Sequence, residues 1–188
     1  MVSVRPLPRV PYTYEAYRLI PHDGRRWELI DGDLYVNPAP TPWHQVVSRR
    51  LQHTLMDQLE EPGIAWVFDA PVDVILDPTN TVEPDLVLVR CTRRESITGR
   101  GIEAPPDVVV EILSPSNRAH DQVLKRLTYA RFNIPEYWVV DPEVGSVEVL
   151  RLVDGQYQQG ARFDRAGVLQ SAEFPQVRVP LPAVFKPL

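Results

Sequence analysis

The chain has 188 residues, 44% hydrophobic and 24% charged, with a net charge of −5. This suits one domain over 1–188 with a sizeable core, and the acidic balance excludes a protein that coats nucleic acid through a general basic surface. No apolar run approaches the ~18 residues of a membrane span, the N-terminal stretch lacks the apolar core of a secretory signal, and the single cysteine, Cys91, excludes an internal disulfide framework and fits a reducing cytoplasm.

In chain order, Thr13 is placed to cap a short helix ending before Pro21. Arg26 to Ile30 and Leu34 to Val36 read as strands joined at Asp31-Gly32, a strong hairpin signal. Thr41-Pro42 reads as a cap followed by proline at the first helical position. Val47, Leu51, Leu55 and Leu59 recur at helical spacing, so this helix runs to about Glu60. Ile64 to Phe68, Val72 to Leu76 and Leu86 to Val89 are strand-like, and residues 91–104 read as a polar loop. Val108 to Leu113 is nearly continuous apolar sequence, the mark of a central strand covered on both faces. Ser114-Pro115-Ser116-Asn117 breaks it and leads into a helix ending near Phe132. Glu136 to Val140 and Val147 to Val153 are further strands, Asp154-Gly155 is a second hairpin signal, and a last turn lies near Pro182 to Phe185. The order predicts an α/β (α+β) fold: a mixed central sheet flanked by helices.

Two acids interrupt these apolar strands. Asp85 opens the run after Val82-Glu83-Pro84, and Glu111 lies inside DVVVEIL. Side chains alternate across a strand, so Asp85 shares a face with Glu83, Val87 and Val89, and Glu111 with Asp107, Val109 and Leu113. A buried acid is costly unless paired or bound to a cation, and neighbouring acids repel unless a cation lies between them. Mg²⁺ is the simplest such ion, since it takes one or two carboxylates plus substrate phosphates. The histidines, His22, His44, His53 and His120, have no close metal-ligand spacing, which argues against zinc. Lys125 and Lys186 are the only lysines beside many arginines. Lysine can lose its proton and arginine cannot. Asp121, Lys125 and Tyr129 form one helical stripe.

The segments EPDLVLV, PPDVVVEILSPSN and DQVLKRLTYARFNIPEYWVVDP, preceded by RWELIDGDLYV and PTPWHQVV, resemble the Uma-type family of putative restriction endonucleases, assigned to the PD-(D/E)XK nuclease superfamily. The resemblance runs from about Tyr14 to the C-terminus. It implies a restriction-endonuclease-like core and a divalent-metal-dependent nuclease site. Asp85 would be the motif's first acid and Glu111 its second, with the backbone carbonyl of Ile112 as a further ligand for Mg²⁺ or Mn²⁺. The motif lysine is missing: Leu113 stands two positions after Glu111. The resemblance allows Lys125 to supply the amine from the next helix. Glu28 and His44 match family positions. Glu28 is either a third carboxylate of the site or a strand acid paired with arginine. His44 either contacts phosphate or a metal-held water, or packs and caps. Ser114 is a candidate to orient Glu111. Tyr137 and Trp138 read as core or dimer contacts.

The expected activity is metal-dependent DNA cleavage leaving 5′-phosphate and 3′-hydroxyl ends, by a homodimer suited to cutting both strands. Two alternatives use the same residues. An inactive relative acting as a DNA-binding or assembly module accounts for Leu113 and the acidic balance. A two-carboxylate glycoside hydrolase accounts for Asp85 and Glu111 but gives Lys125 no role. Simple structural roles also remain: Asp85 capping a turn, Glu111 paired with arginine, and Lys125 exposed and paired with Asp121.

Overall fold

The structure, a computed structural model, describes residues 10–21, 24–114 and 121–187. Its elements are α1 (Tyr14–Tyr17), β1 (Arg26–Ile30), β2 (Asp33–Asn37), α2 (Pro42–Leu55), β3 (Ala65–Asp69), β4 (Val74–Asp77), β5 (Asn80–Val82), β6 (Leu86–Arg90), β7 (Ile97–Thr98), β8 (Gly101–Ile102), β9 (Val108–Ile112), α3 (Arg126–Arg131), β10 (Glu136–Asp141), β11 (Ser146–Val153), β12 (Gln156–Phe163), β13 (Val168–Gln170), β14 (Arg178–Pro180) and α4 (Leu181–Val184). A large sheet has the order β12-β11-β10-β9-β6-β3, a smaller one β2-β1-β5-β4-β8-β7, and β13 pairs with β14. Each six-stranded sheet is mixed, with one parallel pair: β9 with β10, and β4 with β8. The parallel β9–β10 pair requires a crossover, and α3 lies within it.

Local chemistry accounts for the elements that hold the site. Asp31 and Gly32 have φ of 52° and 74°, so the β1–β2 hairpin closes through a two-residue turn with both residues left-handed. A Cβ on Gly32 would come within 2.2 Å of the Pro11 Cβ, so no larger residue fits. The Thr41 side chain accepts the His44 N–H at 3.2 Å and Pro42 sits in the first turn of α2, which fixes where this helix begins. Val47, Leu51, Leu55 and Leu59 are all fully buried. The helix continues beyond Leu55 through a wider turn, Met56–Glu60, with the Glu61 N–H reaching the Met56 carbonyl.

Alternation along β6 and β9 sorts the interior into two layers. Leu86, Leu88, Val108, Val110 and Ile112 pack with α2, α4 and the β13–β14 ribbon. Val87, Val89, Val109 and Leu113 pack with Tyr129 and Ala130 of α3 and with Ile30, Val74, Val82 and Ile102 of the small sheet. Tyr137 and Trp138 are fully buried, which makes them core.

Some expectations need amendment. Thr13 precedes α1 but its side chain makes no cap; its carbonyl accepts instead. Residues 91–104 hold a 3₁₀ turn (Cys91–Ser96) and the short strands β7 and β8. β5 also escapes pattern reading, because three residues carry no periodicity. Its turn is tied by the Asp77 carboxylate, which accepts from Thr79 N, Thr79 Oγ1 and Asn80 Nδ2 at 2.7, 3.0 and 2.9 Å. The expected helix after Asn117 begins outside the described residues. Within them, Asp121–Lys125 forms a wide turn that leads directly into α3.

Glu136 is a carboxylate at 0% exposure. Its Oε1 accepts from Trp138 Nε1 and Ser171 Oγ at 2.6 and 2.7 Å, and its Oε2 from the N–H groups of Ala172 and Glu173 at 2.8 and 3.2 Å. It pins the chain after β13 to the large sheet. Glu136→Ala strands these donors and is expected to lower unfolding free energy by about 3 kcal/mol or more, at about 1–3 kcal/mol per unmet group. Urea denaturation checks it; an unchanged midpoint would mean water replaces the carboxylate.

Candidate functional site

β6 and β9 are antiparallel, with Leu86 opposite Val110. The next positions outward are Asp85 and Glu111, on the face toward the small sheet. Both line one small cavity of about 20 Å³, together with Arg26, His44, Ser114 and Lys125. The predicted acids, the lysine, His44, Ile112 and Ser114 therefore meet at one place. Glu28 does not line this cavity. It lies behind Lys125 at 0% exposure.

Lys125 is 1% exposed. Its Nζ lies 2.9 Å from Glu111 Oε1 and 3.0 Å from Glu28 Oε1. An exposed helix lysine is thereby overturned: the crossover turns this residue inward, over β9 and against β1. Tyr129, one helical turn on, donates its hydroxyl to Glu111 Oε1 at 2.5 Å. Burial, then the charges of Glu111 and Glu28, push the Tyr129 phenol well above its usual range, so it stays a donor. Glu28 Oε1 also accepts the Glu83 N–H at 2.8 Å, while Glu28 Oε2 is buried without a partner among the described residues.

Asp85 is held on three sides. Oδ2 accepts the Ile112 N–H at 2.8 Å and meets His44 Nε2 at 3.1 Å; Oδ1 meets Arg26 Nη1 at 3.2 Å. Burial alone would raise its pKa. The hydrogen bond and charge of His44, with Arg26 and Lys125, outweigh burial and hold the carboxyl below its usual range. Since an ionised carboxylate only accepts, Nε2 of His44 carries the proton here; Nδ1 is buried without a partner among the described residues. Three donors meet a carboxylate with about four lone-pair sites, so Asp85 keeps acceptor capacity toward the cavity.

Arg26 also bonds the Glu83 carbonyl at 2.7 Å and its carboxylate at 3.3 Å. Burial lifts Glu83 to about 7, against the pull of Arg26 and with the help of Asp73 and Glu28. Burial works against the Arg26 charge, but Asp85, Glu111, Glu83 and Glu28 together outweigh it and raise the guanidinium pKa. Four buried acids thus surround two cations, Arg26 and Lys125. With His44 neutral, three ionised carboxylates face two cations even when Glu83 is protonated, and one negative charge is left over. That excess, with hard oxygen donors from adjacent strands, fits a small divalent cation. No group of three or more His, Cys, Asp or Glu among the described residues is arranged to hold a metal, so a cation here would rely on two carboxylates completed by backbone or water oxygen.

Two members of the site carried no sequence signal strong enough to single them out. Arg26 opens a strand and has no neighbour in sequence that marks it. Asn37 closes β2, and its buried Nδ2 lacks a partner among the described residues. Tyr129 was visible only as part of the helical stripe. Leu113, two positions after Glu111, is 4% exposed and packed in the core.

Removing the Lys125 charge leaves two buried carboxylates facing each other. Lys125→Met is expected to destabilise by about 3–5 kcal/mol, and by less in a Glu28→Gln background. A double-mutant cycle by urea denaturation checks it; additive effects would mean that Lys125 and Glu28 are not coupled.

Residues 14–182 match the Uma2 family, described as "Putative restriction endonuclease". Among solved structures, the chain is similar to a crystal structure titled as a putative nuclease belonging to DUF820 from Anabaena variabilis ATCC 29413. The TM-score is 0.78 at 20% identity, covering 93% of this chain and 98% of that one; this similarity bears on the fold. A comparison with curated proteins gave no match.

Proposed function

Because this chain belongs to the Uma2 family, we propose that it is a divalent-metal-dependent endonuclease that hydrolyses phosphodiester bonds in DNA. Asp85 and Glu111 would hold Mg²⁺ or Mn²⁺, with the Ile112 carbonyl as a third protein donor. The observation that carries this reading is the pair of buried carboxylates, Asp85 and Glu111, brought from adjacent strands to one small cavity that Arg26 and Lys125 also line. When bound, the metal supplies Lewis-acid neutralisation of phosphate charge and lowers the pKa of a water.

The chain's own residues supply the remainder. His44 and the Ile112 N–H fix the Asp85 carboxylate. Lys125 and Tyr129 fix Glu111 from the crossover. The Lys125 ammonium faces the cavity from a site with little water, where it can offset charge developing on a phosphate. Arg26, the most exposed of the ion-paired groups at the mouth, is placed to pair with phosphate oxygens. A two-fold dimer would bring one such site to each strand of a duplex.

A second reading, an inactive DNA-binding or assembly module, draws on Leu113, a core residue where the motif lysine would stand. Plasmid cleavage with Mg²⁺, Mn²⁺ or chelator separates the two. Cleavage is expected only with metal, and Asp85→Asn and Glu111→Gln should each reduce it by about 100-fold or more, the loss of roughly 3 kcal/mol of charge stabilisation. Circular dichroism checks that both variants are folded. Wild-type protein that stays inert with either metal would favour the module; cleavage that survives in both folded variants would place the activity elsewhere.

A further inference from the structure

A second concavity, about 340 Å³, adjoins the site and shares Arg26 and Asp85 with it. Its other wall is the outer face of α2: Gln45, Ser48, Arg49 and Gln52. These sit at i, i+3, i+4 and i+7, one stripe of a helix, flanking the buried Val47, Leu51 and Leu55. The stripe is polar throughout, and none of its side chains is hydrogen-bonded or ion-paired among the described residues. Arg49 stands out. It is exposed, whereas its neighbour Arg50 is spent on the Val184 carbonyl at 3.1 Å. Arg26 is held by Glu83 and Asp85. Among the described residues of this acid-rich cleft, Arg49 is therefore the uncommitted cation.

We propose that this face of α2 is the track along which the DNA strand lies as it enters the site, with Arg49 pairing with a backbone phosphate next to the one at Arg26 and Asp85. This rests on the nuclease reading and extends it to substrate positioning. From Gln45 to Gln52 the helix rises about 10 Å at 1.5 Å per residue. That spans about three nucleotide steps at 3.4 Å each. Gln and Ser donate to phosphate and sugar oxygens without reading a base, which fits a positioning surface. Asp69 lies on the groove as well, and its charge would bias a polyanion toward α2. So few phosphate contacts in a chain of net charge −5 make position, not bulk attraction, the source of binding.

Fluorescence anisotropy with a labelled duplex, Ca²⁺ replacing Mg²⁺, tests the track across a salt series. Arg49→Gln should weaken binding several-fold and flatten the log–log salt slope by about one, the loss of one phosphate contact. Arg151→Gln, an exposed arginine on β11 outside the groove, should leave the slope unchanged. Equal losses in both variants, no loss in Arg49→Gln, or no duplex binding by the wild type would each overturn the track. Plasmid cleavage by the wild type is scored separately: metal-dependent cutting by a protein whose Arg49→Gln variant binds DNA normally would remove the track and leave the nuclease reading standing.

Discussion

A lysine ammonium held between two buried carboxylates is the constraint on which the centre of this molecule depends. Glu28 comes from the small sheet, Glu111 from the large sheet, and Lys125 from the crossover that makes β9 and β10 parallel. Transfer of such charges out of water costs several kcal/mol per ion, and only close pairing with further hydrogen bonds offsets it. Tyr129 and the Glu83 N–H supply those further bonds. The two sheets and α3 are consequently tied at one point. Neither carboxylate can shift without exposing the other to an unpaired charge.

That tie also explains how acids persist at the centre of an apolar sheet. Lys125 and Arg26 neutralise half of the four-carboxylate cluster, and Arg26 feels all four. Uniform pairing would make a sealed structural core. The incomplete balance, located where a cavity reaches Asp85 and Glu111, instead makes a place that gains from an added cation. Burial sets the strength of this field, since charges in a low-dielectric interior are screened far less than at the surface.

Much of this was legible in the sequence because it rests on local rules. The Asp31-Gly32 turn, the Thr41-Pro42 start of α2 and the Val47-Leu51-Leu55-Leu59 stripe each depend on neighbours in the chain. Strand alternation grouped Asp85 with Val87 and Val89, and Glu111 with Val109 and Leu113; the β6–β9 register makes these one face. What stayed hidden is tertiary. Lys125 and Asp121 at helical spacing offered a plausible surface pair, and nothing in the sequence says that the crossover turns Lys125 inward. Glu136 draws donors from Ser171, Ala172 and Glu173, a closure no local pattern marks. Arg26 became distinctive only when β1 was laid beside Glu83 and Asp85. Short pieces such as β5, β7 and β8 fall below the length at which periodicity speaks.

The burial of Lys125 has a further consequence, for side-chain chemistry. The chain has only two lysines, and one of them is closed to solvent at 1% exposure. Acylating reagents and crosslinkers attack the free amine, and so does enzymatic acetylation or ubiquitin transfer. Of the lysine side chains, only exposed Lys186, two residues past α4, is open to them. A label or tether introduced through lysine would therefore sit at one defined position beside the C-terminal helix, leaving the ammonium between Glu28 and Glu111 untouched while the fold holds.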